Sequence, residues 1–116
     1  MILKINFKNS WFHFKRWVRH HYERHTKGFS YQDRWCLSWF ISDLLVRALT
    51  EFRDSPHDEG PASLKGRDNW DQQLTIMIEG FEAAKEISEH IVADELDKKF
   101  DAGMKSFKKY YFHLWT

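Results

Sequence analysis

Apolar residues recur every three or four positions along most of this chain, which is the spacing of helices that bury one face. A strand-like alternation of apolar and polar residues occurs at the start, in residues 1–8. One such helical stripe, on the third predicted helix, comprises Trp70, Leu74, Met77, Ile78, Phe81 and Ala84. We therefore predict an all-α fold, an antiparallel four-helix bundle with a short extended N-terminal arm.

Local signals at the helix ends predict the boundaries. Asn9 or Ser10 is a candidate N-cap of the first helix, and Gly28 is its candidate stop. Ser30 and Asp33 have the spacing of a capping box that opens the second helix. We expect one domain over residues 1–116, with an arm at 1–8, helices at 9–27, 31–53, 68–90 and 93–115, and a long loop at 54–67 that holds both prolines.

The second helix carries two apolar stripes, which is typical of a helix buried between neighbours or covering an oligomer interface. We expect the wider stripe to face the core, and it comprises Leu37, Phe40, Ile41, Leu44, Leu45, Ala48 and Phe52. The second stripe comprises Trp35, Trp39, Ser42, Val46 and Leu49.

Charge is distributed unevenly along the chain. Residues 1–30 hold seven lysines and arginines against one acid, Glu23, whereas the whole chain has a net charge of +1. The same segment is rich in aromatic rings and holds four histidines. Cations interleaved with flat rings suit a phosphate-bearing ligand with a planar group. The segment therefore predicts a binder of something anionic.

Two groups of residues are candidates for such a site. On the first helix a basic outer stripe lies opposite the apolar face, and we expect phosphate contacts from Arg16, His20, Arg24 and Lys27, with His13 alongside. The alternative is a solvated helix face. On the second helix, Trp35 and Trp39 could sandwich a base while Arg47 meets a phosphate and Asp43 a ribose hydroxyl. The alternative there is that the tryptophans are core residues and that Asp43 and Arg47 form an ordinary ion pair.

Several function classes find little support in the sequence. His21 and His25 have the i, i+4 spacing of a shared zinc site, but hydrogen-bonded core histidines are commoner, so we predict no metal and no cofactor. We find no phosphate loop, nucleophile motif or acid–base pair, and predict that the chain is not an enzyme. One cysteine, Cys36, and no run long enough to span a bilayer indicate a cytoplasmic protein without a membrane partner.

The order of motifs from Arg34 onward resembles a group of small uncharacterised proteins from tailed bacteriophages and prophages of intestinal bacteria. The similarity covers about two thirds of the chain, and no catalytic motif belongs to it. It implies a phage origin and, by genomic context, an accessory role against host defences. The residues that carry it are Trp35, Trp39, Asp43-Leu-Leu, Leu49-Thr-Glu-Phe52, Trp70, Met77-Ile-Glu-Gly-Phe81-Glu and the ending Phe107-Lys-Lys-Tyr-Tyr-Phe-His-Leu-Trp115, where the group often closes in Leu-Trp-Asp.

Together these features predict a self-associating phage accessory protein of the host cytoplasm that sequesters an anionic nucleotide-type small molecule without catalysis. One alternative is an inhibitor that binds a host defence protein directly, through the aromatic segment 110–115 or the acidic faces of the third and fourth helices. That aromatic segment could equally close the end of the bundle. A third possibility is nucleic-acid binding through the basic first helix.

Overall fold

The computed structural model describes the backbone of residues 7–56 and 60–115 and the side chains of residues 10–56 and 60–115. The described part of the chain contains helices and no strand, and the predicted all-α class with four long helices is confirmed. These helices are α1 (Phe7–Lys27), α2 (Leu37–Asp54), α3 (Arg67–Ser88) and α4 (Asp94–Tyr110). Short 3-10 segments occur at Asp33–Cys36, Ala62–Leu64 and Tyr111–His113.

The beginning of α1 differs from the prediction. Residues 1–6 of the expected arm lie outside the described residues, but Phe7 and Lys8 are already helical. Asn9 and Ser10, the predicted caps, therefore lie inside the helix. Because Phe and Lys are both tolerated in helices, nothing at these positions stops the helix from starting earlier.

The chain divides into two compact units, residues 1–37 and residues 38–116. The first unit holds α1 and the 3-10 segment that precedes α2. The second unit holds nearly all of α2, together with α3 and α4. The single domain expected from the sequence stays a prediction.

In the second unit, α2 and α3 run in opposite directions. The hydroxyl oxygens of Ser38 and Ser88 lie 2.8 Å apart, which brings the start of α2 to the end of α3. At the other end, Arg53 Nη1 donates a hydrogen bond of 3.1 Å to Thr75 Oγ1. None of the helices in the described ranges combines the length and the apolarity required to cross a membrane.

Two glycines let α3 and α4 approach each other closely. A Cβ atom added to Gly80 would lie 2.6 Å from the Cα of Gly103, so the two backbones are almost in contact. Further along, Ser106 Oγ donates to Gln73 Oε1 over 2.9 Å. Because lower numbers on α3 meet higher numbers on α4, this pair is antiparallel too.

The core of the second unit is the predicted stripe of α3, whose six members are all buried. Leu49 of α2 and Tyr110 of α4 complete it. The predicted orientation of α2 is wrong in part, because Leu37, Ile41 and Leu44 of the wider stripe are exposed. Of the second stripe, Ser42 and Leu49 are buried and Val46 packs against the core. Of the wider stripe, Phe40 is buried and Leu45 and Phe52 pack against the core, so α2 contributes members of both stripes.

Candidate anion-binding site

A tight turn after α1 shapes the first unit. Gly28 has a φ of +86°, a conformation that costs glycine little, and its N–H donates to the carbonyl oxygen of Arg24 over 2.9 Å. Ser30 N then donates to Asp33 Oδ2 over 2.7 Å, and Asp33 N donates back to Ser30 Oγ over 3.4 Å. The predicted stop at Gly28 is confirmed. The reciprocal bonds expected of Ser30 and Asp33 are present, but they precede the 3-10 segment Asp33–Cys36, and α2 begins at Leu37, so the predicted start of the second helix at residue 31 is wrong.

Arg24 fastens this turn to α1. Its Nε and Nη2 donate to Asp33 Oδ2 and Oδ1 over 3.0 and 2.7 Å. The hydrogen bonds from Arg24 lower the pKa of the buried Asp33 carboxyl from 3.8 to about 2, with help from the backbone and side chain of Ser30. Arg24, predicted to contact a phosphate, therefore has its charge balanced by Asp33.

Glu23 also connects α1 to the turn. Its carboxylate accepts a hydrogen bond of 2.6 Å from Arg19 Nε and another from the backbone N–H of Tyr31. The hydrogen bond from Arg19 is the main reason that the pKa of Glu23 is lowered. Glu23 is buried, so the single acid of α1 is used to hold the turn and to balance part of the charge of Arg19.

Part of the basic stripe of α1 bonds to the turn that follows the helix. Arg16, His20 and Arg24 all point toward segment 30–36, where His20 Nδ1 shares a hydrogen bond with Ser30 Oγ. Lys27 is exposed in the last turn of α1. The outer stripe expected from the sequence is therefore solvent-facing only in part: Arg16 and His20 are half-buried against the turn, whereas His13, Arg24 and Lys27 are exposed.

Between α1 and segment 31–35 lies an open groove with a volume of about 440 Å³. Arg16 is at its centre, since its Nε donates to Tyr31 Oη over 3.2 Å and its guanidinium carbon lies 5.6 Å from the ring centroid of Trp35. The guanidinium carbon of Arg19 lies 4.0 Å from the ring centroid of Tyr31. The lining alternates cations with rings and comprises Phe12, Lys15, Arg16, Arg19, Tyr31 and Trp35.

This groove has the electrostatic character of an anion site with a stacking surface. None of its six lining residues is acidic. Trp35 is 72% exposed, so its ring is available to a ligand. Hydrogen bonds from Arg16 and then Gln32 lower the pKa of Tyr31, as expected for a phenol surrounded by donors. Arg16 and Trp35 of the predicted set meet here.

The other predicted residues, Trp39, Asp43 and Arg47, lie in the second unit and bond to its own side chains. Asp43 accepts hydrogen bonds from Lys85 Nζ over 2.9 Å and from Arg47 Nε over 3.1 Å. Lys85 is the main cause of the lowered pKa of Asp43. Trp39 Nε1 donates to Glu89 over 3.0 Å. The alternative reading of Asp43 and Arg47 as an i, i+4 ion pair is confirmed.

A larger groove, of about 550 Å³, lies along α3 and α4 in the second unit. Its charged lining is mostly acidic, with two lysines among four glutamates: Glu79, Glu82, Glu86, Glu89, Lys85 and Lys99. Because carboxylates repel an anionic ligand, the smaller basic groove is the better candidate despite its size. Among the described residues, no three His, Cys, Asp or Glu side chains are placed to hold a metal ion.

Four lining residues of the groove were not singled out by sequence reasoning: Phe12, Lys15, Arg19 and Tyr31. A local signal existed for Phe12, which lies four residues before Arg16, so the ring and the cation share a helix face. Their centroid-to-carbon distance is 5.5 Å. Tyr31 had no such signal, because the turn at Gly28 brings it back against α1.

The chain was compared with family models, with curated proteins and with solved structures. None of the three comparisons found a match. The basis for assigning a function is therefore the geometry of the first unit and the chemistry of its side chains.

Proposed function

We propose that the groove of the first unit binds an anionic small molecule of nucleotide type and holds it without chemical change. The observation that carries this proposal is the lining itself, in which Lys15, Arg16 and Arg19 alternate with three aromatic rings. Guanidinium groups bind phosphate with charge-assisted hydrogen bonds, and rings bind bases by stacking. One groove thus offers cations for the phosphate of a nucleotide and rings for its base.

Each residue has a distinct role in this proposal. Arg16 and Lys15 contact the phosphate, because no carboxylate balances either of them among the described contacts, whereas Arg19 shares its charge with Glu23. Trp35 is the stacking surface, and base stacking on an aromatic side chain contributes about 1–3 kcal/mol. Arg24 supports the turn and does not contact the ligand. The phage origin that the resemblance implies, and the sequestration of such a molecule as an accessory role, stay predictions.

Isothermal titration of the full chain with adenosine monophosphate, adenosine and inorganic phosphate tests the proposal. We expect the nucleotide to bind more tightly than either fragment, because it uses charge and stacking together. Arg16→Gln and Trp35→Ala should each weaken nucleotide binding by about tenfold or more. Arg67→Gln and Trp115→Ala are matched controls, since both residues are exposed in the second unit, and they should leave binding unchanged.

Two results would count against the proposal. If Arg16→Gln and Trp35→Ala bind the nucleotide as well as the unmodified chain, the groove is not the site. If single-stranded oligonucleotides bind far more tightly than the mononucleotide, with affinity falling steeply as salt rises, the ligand is a nucleic acid.

A protein partner is a second candidate function, favoured by the end of the chain. Tyr110 is buried and Leu114 packs against the core, so part of the aromatic segment closes the bundle of the second unit. Phe112 and Trp115 are 87% and 62% exposed, respectively, and form no part of that core. Large exposed aromatics are typical of protein contacts. A stoichiometric partner that co-purifies with the unmodified chain and is lost from Phe112→Ala/Trp115→Ala would favour this role.

A further inference from the structure

Within the first unit, the apolar face of α1 has no partner among the described side chains of segment 28–37. Its members are spaced i, i+3, i+7 and i+11, and Trp11, Phe14, Val18 and Tyr22 are 58, 52, 43 and 66% exposed. At 100° per residue these four side chains, called the aromatic face below, lie nearly opposite Arg16 and Glu23, which bond to segment 30–33. The rings of Trp11 and Phe14 are stacked with centroids 5.8 Å apart, so the face is a continuous apolar surface.

The first unit is built with its polar groups inward. Among its described side chains the buried ones are Glu23, Ser30 and Asp33, and no large apolar side chain joins them. Burial of apolar surface is the dominant favourable term in folding and association, and the described residues of the first unit bury little apolar surface among themselves. Transfer of the aromatic face from water to an apolar environment is therefore favourable.

Charge determines which occupant suits this face. A shallow depression of about 470 Å³ runs along it, and Lys15 and Arg19 line the depression together with the four apolar residues. The single acid of α1, Glu23, is buried on the other side of the helix. Glu23 pairs with Arg19 but is itself buried, and Lys15 has no carboxylate partner among the described contacts. A second copy of the same face would bring these cations against their like, so the complementary occupant has anionic groups above an apolar layer.

We propose that the aromatic face of α1 docks on the surface of an anionic phospholipid bilayer, with the helix lying in the plane of the interface. Helices of this kind carry Trp and Phe on one face and Lys and Arg beside it. Indole and phenol rings prefer the headgroup depth, where Trp11 and Tyr22 would lie, while Lys15 and Arg19 would contact lipid phosphates. The expectation of no membrane partner was based on the lack of a spanning segment, and an interfacial helix needs none.

This inference goes beyond the proposed function and can fail independently of it. The aromatic face and the nucleotide groove share Lys15 and Arg19 but differ in every ring. A test on Phe14 and Val18 therefore leaves the lining of the groove intact. Both side chains are about half exposed, and the rings that Phe14 contacts, Trp11 and Trp17, lie outside the groove.

Co-sedimentation of the full chain with large unilamellar vesicles provides the test. We expect binding to vesicles of phosphatidylglycerol and phosphatidylcholine in equal parts, and much weaker binding to phosphatidylcholine alone. Phe14→Ser/Val18→Ser should reduce binding to the anionic vesicles at least about tenfold. Phe112→Ser, which changes an 87% exposed phenylalanine in the second unit, is the matched control and should bind as the unmodified chain does.

Three outcomes would overturn the proposal. The first is an absence of binding to the anionic vesicles. The second is equal binding by Phe14→Ser/Val18→Ser and the unmodified chain, which would show that charge alone attracts the protein to lipid. The third is a concentration-dependent dimer, measured by sedimentation velocity, that the double variant abolishes, because the face would then belong to a second copy. Circular dichroism of each variant verifies that its helices are retained.

Discussion

Arg24 donates two hydrogen bonds to the carboxylate of Asp33, and this pair ties the end of α1 to the start of the segment that leads into α2. The side chain of Asp33 is 7% exposed. Removing one partner of such a pair leaves the other without compensation, which costs far more than the pair itself contributes. The pair thus makes Arg24 a structural residue and leaves Arg16 and Lys15 for a ligand.

The same pair makes the first unit sensitive to acid. The pKa of Asp33 is about 2 in the folded chain and 3.8 ordinarily, so folding favours its ionised form. The ionised Asp33 carboxylate therefore contributes to the free energy of unfolding above pH 4, and this contribution is lost as the pH falls from about 4 to about 2. It amounts to at most about 2 kcal/mol. Amide hydrogen exchange of residues 10–37 across this range measures it.

Asp33→Asn should remove this acid dependence and should also speed exchange at neutral pH. Asp54→Asn is the control, because Asp54 also pairs with an arginine but its side chain is 64% exposed. An acid profile of Asp33→Asn that matches the unmodified chain would show that another group titrates.

Tyr31 is expected to matter for ligand binding through its hydroxyl group. Tyr31→Phe keeps the ring beneath Arg19 but removes the oxygen that accepts hydrogen bonds from Arg16 and Gln32. A hydrogen bond from a charged donor contributes about 1.5–3 kcal/mol, and only part of that goes into positioning Arg16 for the ligand, so we expect adenosine monophosphate to bind roughly threefold to tenfold more weakly. Titration calorimetry measures the change, with Tyr111→Phe as the control. An unaltered affinity would mean that Arg16 is positioned without Tyr31.

Trp39 should be dispensable for the ligand, although it was predicted to stack on a base. Trp39→Phe removes the hydrogen bond to Glu89 and keeps an aromatic ring near Lys85. We expect unchanged nucleotide affinity and a loss of about 0.5–1 kcal/mol in the free energy of unfolding. Urea denaturation and calorimetry measure the two quantities. An affinity loss as large as that of Trp35→Ala would contradict the assignment of the site to the groove.

The contact of α3 with α4 depends on the absence of side chains at its centre. Gly80→Ala would place a Cβ atom 2.6 Å from the Cα of Gly103 and 3.0 Å from the carbonyl oxygen of Lys99, so the helices must separate. Overpacking of this kind costs about 1–3 kcal/mol or more, against a gain of about 1 kcal/mol in helix propensity.

We expect a net loss in the free energy of unfolding for Gly80→Ala, measured by urea denaturation. Asp101→Ala, on an exposed position of α4, is the control and should stay within about 0.5 kcal/mol of the unmodified chain. A stabilised Gly80→Ala would show that the helices separate at little cost.

Local sequence signals determined a large part of this structure. The helical spacing of Trp70, Leu74 and Phe81 predicted α3 and its buried face, and all three are buried. Gly28 ended α1 as predicted, and Ser30 and Asp33 formed the expected reciprocal hydrogen bonds, although α2 begins only at Leu37. These features depend on residues a few positions apart, whose geometry the helix or turn itself imposes.

The tertiary structure decided how the charges are used. Arg24 meets Asp33 and Arg16 meets Tyr31 because the turn at Gly28 folds the chain back, and separations of nine and fifteen residues leave no periodic signal. The sequence by itself determined which cations and rings lie on α1. It did not determine which face of α1 contacts segment 30–36. The contacting face is the one whose side chains find hydrogen-bond partners in the turn, and the spacing of residues along one helix does not specify those partners.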